Sequence, residues 1–201
     1  ADIRRDDLRA HEVIHRLRAL LEKNEVVHAP MALHPTLREA IALIEPEARR
    51  RGITLETRFD ASRDGLLGDP VQLQQVLLNL MLNAFDAMLA TPAPQRHLLI
   101  CTEDAEDDLR LTVADRGHGL TGTQREHAFR SFWTTKSHGL GLGLPIVRAI
   151  VDAHHGQVSL DARAGGGAVA TVRLPRTPVS APQPALGRAH TGVEPGARGV
   201  S

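Results

Sequence analysis

An α/β fold is predicted by this 201-residue chain on three observations. Segments alternating apolar and polar residues with period two are interleaved with longer stretches of helical period. Two pairs of strand segments are joined by short turns, one acidic and one of three glycines. The apolar positions of each helix fall on one face, which has to be covered by another layer.

The elements follow in order. Residues 2–24 read as a helix whose Ile3, Ala10 and Leu17 recur every seven residues, with Val13 and Leu20 and then Ile14 and Leu21 on adjoining tracks. Such a stripe asks for a partner helix. "VVHAPMAL" (26–33) reads as a short strand that Pro30 confines to an edge. A helix opens at His34-Pro35, runs to about Arg51 and is closed by Gly52. "ITLETRF" (53–59) alternates as a strand. Asp69 caps the next helix, with Gln72 in place for a box-like pattern; that helix runs to about Leu89, ahead of Pro92 and Pro94. "HLLICTED" (97–104) and "LRLTVAD" (109–115) form a strand pair. A short helix around 122–131 follows, then a glycine-rich segment (139–143) leading into a helix that ends near His155-Gly156. "QVSLDAR" (157–163) and "AVATVRLP" (168–175) close a last hairpin over Gly165, Gly166 and Gly167. The stretch 177–201 is rich in Pro, Gly and Ala and reads as a flexible tail. The expected organisation is therefore a helix over 1–25, a globular domain over 26–176 and a tail.

Composition sets limits. Lys plus Arg is 24 and Asp plus Glu is 24, so no whole-molecule field recruits nucleic acid or acidic lipid. The one cysteine, Cys101, forms no internal disulfide, which makes a reducing, cytoplasmic setting the default. No apolar run is long enough to cross a bilayer, so no membrane contact is expected of this segment, although a parent protein could be anchored. The abrupt start inside a helical pattern suggests a piece of a longer protein.

Three segments break their local pattern. In "QVLLNLMLNAFDAM" (75–88), Leu73, Leu77, Leu80, Ala84 and Met88 form the core face. Gln75, Asn79, Asn83 and Asp86 fall on a polar stripe beside it. A lone Asn would read as surface. Two Asn and an Asp in line among leucines read as a cleft wall whose oxygens suit a hard cation such as Mg²⁺. In "LRLTVADRGHGL" (109–120), Asp115 points to the same face as Leu109, Leu111 and Val113, and Gly117 and Gly119 let the backbone approach a ligand. That carboxylate can accept a hydrogen bond from an exocyclic amine such as adenine's. In "TTKSHGLGLGLPIV" (134–147), three glycines enter a helix, forming an anion site with Lys136 and His138 just upstream. The segment is neither a Walker A loop nor a dinucleotide fingerprint.

Taken in order, the Asn helix, D-x-G-x-G, F-x-x-F-W-T-T-K and G-x-G-x-G resemble the four boxes of the sensor histidine kinase ATP-binding domain, over about residues 30–175. The resemblance implies a Bergerat-type two-layer α/β sandwich, with a mixed sheet, helices on one face, and ATP held between helices and a lid. It assigns Asn79, Asn83, Asp86 and Ala87 to the N box, with Asn83 on Mg²⁺. Asp115, Gly117, Gly119 and Leu120 match the G1 box, Asp115 reading adenine. Phe129, Phe132, Thr134, Thr135 and Lys136 match the F box. Gly139, Leu140, Gly141, Leu142, Gly143 and Leu144 match the G2 box at the phosphates. Asn79, Asn83 and Lys136 are the expected catalytic residues. The short lid is similar to that of nitrogen-regulation and oxygen-sensing kinases. Pro145 and Ala168-Val169 depart from the pattern, at a small polar and a threonine position respectively.

ATPases of the same fold carry a glutamate one turn before the metal Asn, where this chain has Asn79. An amide cannot take a proton from water at neutral pH, so transfer to another nucleophile is expected over hydrolysis. The family's phosphoacceptor lies on the first helix of a dimerising hairpin. Residues 2–24 lead straight into the domain and match the second, which implies a homodimer in the full-length protein and a response-regulator receiver domain as partner. A serine protein kinase or anti-sigma factor on the same fold is the alternative; anti-sigma factors lack the preceding helix. His11-Glu12-Val13-Ile14-His15 fits the zinc motif H-E-x-x-H, but both histidines lie off the apolar stripe and no third ligand follows. His154-His155 reads as a cationic helix C-terminus.

Overall fold

The computed structural model describes residues 28–135 and 140–176. The helix expected over 2–24, with the H-E-x-x-H motif, lies outside the described residues, as do Lys136, His138, Gly139 and the tail.

Strand β1 (Ala29–Ala32) is followed by helix α1 (Leu33–Arg50), β2 (Thr54–Phe59), β3 (Gly65–Gly68) and α2 (Pro70–Ala87). Then come β4 (His97–Ala105), β5 (Asp108–Ala114), the short α3 (Gly122–His127), α4 (Gly143–Ala153), β6 (Gln157–Ala162) and β7 (Ala168–Pro175). The main sheet has the order β2-β4-β5-β7-β6; β2 runs parallel to β4 and the other neighbours are antiparallel. This is the mixed sheet that the family resemblance implies. β1 pairs antiparallel with β3 in a separate ribbon, with Pro30 on its two-stranded edge. The sequence reading did not anticipate β3: "GLLG" is too short to show a period.

Strand alternation decides which face is covered. Leu98 and Ile100 of β4, Leu109, Leu111 and Val113 of β5, and Ala170, Val172 and Leu174 of β7 share one core with Leu73, Leu77, Leu80 and Ala84 of α2. Val147 and Val151 of α4 and Leu37 of α1 join the same core. The intervening positions, such as Glu56, Glu103, Arg110 and Arg173, carry charge on the other face. The helices therefore cover one side of the sheet. Helix α1 contains Pro46 and ends at Arg50, and Gly52, whose φ of +64° favours glycine, follows its C-cap Arg51. The helix expected over 122–131 is regular only to His127 before breaking into turns.

Polar ties lock this packing. His34 donates its backbone N–H to Asp64, and its Nε2 lies 2.9 Å from Thr102 Oγ1. The Asp–His–Thr series looks like a nucleophilic triad, but Thr102 is fully buried, so it braces α1 against β4.

Two sequence expectations are corrected here. Asp69 does cap α2, its Oδ1 accepting from the N–H groups of Val71 (2.9 Å) and Gln72 (3.3 Å). The Gln72 side chain does not return the bond. Asp69 N–H instead donates to Nε2 of His154 at 3.0 Å. His154 is accordingly no exposed cation: it is 2 % exposed, and its Nδ1–H donates to Ile150 O at 2.8 Å. With one ring nitrogen donating and the other accepting, the imidazole is neutral. Burial is the main cause lowering its pKa from 6.5, with His28 and His155 acting the same way against Ile150 and Asp69. A lowered histidine pKa favours the neutral form in the folded state. Its contribution to stability is complete above 6.5 and is lost as pH falls below that value toward the folded pKa. Burial lowers His34 in the same direction. The urea midpoint of the protein should therefore fall as pH drops below 6.5, and His154→Gln should flatten part of that slope. The variant should also cost about 1–3 kcal/mol at pH 8 if the Asp69 N–H is left unpaired. A wild-type slope identical to the variant's would overturn this assignment.

Candidate functional site

The site lies where the C-terminal half of α2, the loop after β5 and the start of α4 meet. Asp115 follows the last residue of β5 and is 6 % exposed. Its Oδ1 accepts the N–H groups of Gly117 (2.7 Å) and Ala168 (3.2 Å), and Oδ2 takes part in neither bond. Burial raises its pKa, while those two N–H groups, His118 and Arg163 pull the other way. The result is a carboxylate fixed in orientation, with one oxygen held by the protein and one left to read a ligand.

Gly117 is there for a spatial reason. A Cβ on it would lie 2.6 Å from the carbonyl oxygen of Ala87, at the end of α2. The next residue, His118, donates its backbone N–H to that same oxygen at 3.2 Å. The D-x-G-x-G loop is thus pinned to the last turn of α2 by backbone contact that only glycine permits. Gly119, at φ +74°, lies against Gly167.

One and two turns back along α2, a Cβ on Gly143 would lie 3.5 Å from Asn83 Nδ2 and 3.4 Å from Asn79 Oδ1. Both amides therefore face the first residue of α4. Asn79 is 7 % exposed and its Nδ2 donates to Gln75 O at 3.0 Å. Asn83 is half-buried. Helix α4 has Leu142 at its N-cap and no side-chain cap, whereas Asp69 and Thr121 cap α2 and α3. Pro145 has no N–H, so the donors presented by the first turn are those of Gly143 and Leu144. Uncapped N–H groups beside two side-chain amides suit an anion and its cation.

The remaining predicted residues divide. Leu142 is buried, while Leu120, Ala87 and Leu144 are half-buried. Gly141, at φ +66°, sits against the backbone of Phe132 and Trp133, and Phe132 N–H donates to Gly141 O at 3.1 Å. This joins the F-x-x-F-W and G-x-G segments. Phe129 lies under the Arg148 guanidinium at 4.4 Å. Phe132 and Leu140 are exposed, as are Thr134 and Thr135. Asp86, expected on the same stripe as the two Asn, forms an ion pair with Arg51 at 3.0 Å. It faces the end of α1, while Asn83 faces α4.

Sequence reasoning missed the hairpin's part. Ala168 N–H and Arg163, which donates to Asp115 O at 3.3 Å, both hold the G1 strand end. The triple-glycine turn was visible, but nothing local showed what it would pack on. Among the described residues no cluster of three His, Cys, Asp or Glu is arranged for a metal, and no helix is long and apolar enough to cross a membrane.

Comparison with known proteins agrees with this geometry. The chain is 36% identical over 174 residues to the C4-dicarboxylate transport sensor protein DctS of Rhodobacter capsulatus, covering 87% of this chain and 26% of DctS. It is 37% identical over 169 residues to the sensor protein FixL of Bradyrhizobium diazoefficiens, covering 84% and 33%. The chain thus spans about a quarter to a third of the length of these relatives. The catalytic domain of histidine kinase ThkA superposes with a TM-score of 0.66 at 29% identity, covering 74% of this chain and 95% of that one. ThkA in complex with the response regulator protein TrrA gives 0.71 at 26% identity, covering 88% and 50%. The family described as "Histidine kinase-, DNA gyrase B-, and HSP90-like ATPase" matches residues 68–178, a span that includes α2 through β7. With sensor histidine kinases as its relatives, the chain belongs to that family, as an ATP-binding domain of the histidine kinase type.

Proposed function

We propose that this chain is the ATP-binding catalytic core of a two-component sensor kinase. It holds Mg-ATP for transfer of the γ-phosphoryl group to a histidine on a helix outside this segment, and from there to an aspartate of a receiver domain. The observation that carries the reading is the pairing of an oriented, buried Asp115 with an uncapped α4 start facing Asn79 and Asn83. The first suits the adenine amine and the second the phosphates. Asn83 would hold the Mg²⁺, which when bound neutralises phosphate charge. In the transfer, the bond between the γ-phosphorus and its bridging oxygen breaks as a P–N bond forms on the imidazole, and ADP leaves. The protein's part is positioning and electrostatics.

Asn79 favours transfer over hydrolysis. Its amide donates to Gln75 O and has no basic lone pair to take a proton from water. The domain boundaries at about 26 and 176, a homodimer through residues 1–25, and Lys136 and Gly139 at the phosphates belong to the same proposal. So does the ThkA–TrrA likeness as a guide to a receiver partner.

The test restores the upstream helix and follows phosphate from ATP. Acid-labile phosphate on that helix, passed to a receiver domain, is expected. In the chain itself, Asn83→Ala should weaken ATP binding at least about tenfold in Mg²⁺ and change it little in EDTA. Steady ATP hydrolysis by the chain alone, lost in Asn79→Ala, would sink the reading.

A further inference from the structure

A second concave site lies beside the G1 loop, between it and the β6–β7 turn. It is a cleft of about 370 Å³ lined by Gln95, Arg116, Gly117, Arg163 and the turn 164–166. That is the size of a small-molecule pocket, larger than a bare inorganic ion needs. Its two walls are tied together, because a Cβ on Gly167 would meet Asp115 O at 2.1 Å and Arg116 Cα at 3.0 Å.

The charge is one-sided. No carboxylate lines the cleft. Among the described residues, neither Arg116 nor Arg163 forms an ion pair, so the cleft brings together two arginines with no salt-bridged carboxylate between them. Arg163 spends one Nη1 bond on Asp115 O, which leaves the rest of its fork unused. Two guanidiniums in one concavity, only Arg163 of them felt by the buried Asp115 carboxylate, leave net positive potential and match an oxyanion bidentately. Gln95 adds an amide that can donate and accept toward an uncharged portion.

We propose that this cleft binds a small organic phosphate, with its phosphate group on Arg116 and Arg163 and its remaining polar part toward Gln95. The cleft adjoins the nucleotide contacts through Gly117, and Arg163 touches the strand end that carries Asp115. Occupancy is therefore linked to nucleotide affinity, and the linkage must be reciprocal.

The experiment titrates the ¹⁵N-labelled full chain with glycerol phosphate and, separately, inorganic phosphate, against sodium chloride at equal ionic strength. Saturable shifts at Arg116, Gly117 and residues 163–166 are expected with glycerol phosphate. They should be about tenfold weaker in Arg116→Gln, as expected for loss of a charged hydrogen bond. Mg-ATP affinity, measured in parallel, should stay within about twofold in Arg116→Gln. Equal shifts with chloride, shifts confined to Asn83 and Gly143, or a titration unchanged in Arg116→Gln would each overturn the proposal. Tighter binding of inorganic phosphate than of glycerol phosphate would overturn the organic-ligand assignment. Failure here with Mg-ATP binding intact leaves the kinase reading standing, so the two are tested apart.

Discussion

Asp115→Asn is expected to weaken ATP binding by about 10- to 100-fold while leaving the fold intact, the range for losing a hydrogen bond to a charged acceptor. The direction follows from how the carboxylate is held. Oδ1 accepts from Gly117 and Ala168, so an asparagine has to place its oxygen there to keep both bonds. Its Nδ2 then occupies the position of Oδ2 and turns a donor toward the adenine amine, which is also a donor. A base with a carbonyl in place of that amine should suffer less. ITP, measured beside ATP by calorimetry, should close most of the gap or bind the variant better. The pH dependence should change as well. Burial raises the Asp115 pKa, so wild-type ATP affinity should decline in acid at a higher pH than for an ordinary aspartate. The variant should lack that decline. Unchanged ATP affinity in Asp115→Asn would remove Asp115 from the site.

What the sequence could reveal depended on how far apart the partners lay. Asp115 was legible because strand alternation carried the row Leu109, Leu111, Val113 onto a carboxylate. Asn79 and Asn83 were legible because polar amides interrupt an apolar helix, and both do face Gly143. The helical period placed Asp86 on the same stripe, but it is drawn to Arg51, an attraction from another helix that no period can report. The His154–Asp69 bond joins residues 85 positions apart. From the sequence, His154 was one of two histidines at a helix end and Asp69 one half of a local box. The ring that breaks the box arrives only with the packing of α4 on α2. β3 gave no signal because four residues flanked by glycine carry no measurable alternation.

The same distance effect hid the importance of Gly167, and it supplies the second large expected result. Gly167→Ala should destabilise the domain by about 3 kcal/mol or more, among the larger effects of a single methyl group. Gly167 has φ +96°, which costs a side chain about 1–3 kcal/mol. Its Cβ would also lie 2.1 Å from Asp115 O and 2.8 Å from Asp115 C. Those are backbone atoms, so no rotamer change relieves the clash. The hairpin must move off β5, and that movement breaks two bonds: Asp115 N–H to Ala168 O at 2.9 Å, and Ala168 N–H to Asp115 Oδ1. Each adds about 1 kcal/mol. Gly165 is the control within the same turn. Its φ is +85° but a Cβ there meets nothing within 4 Å, so Gly165→Ala carries the backbone cost alone. Urea denaturation of the two variants should therefore separate them by about 2 kcal/mol or more, and ATP affinity should fall with Gly167→Ala only, because the hairpin that it displaces is what orients Asp115. Equal stability of the two variants would mean that the turn does not press on β5, and the carboxylate would then need another source of its orientation.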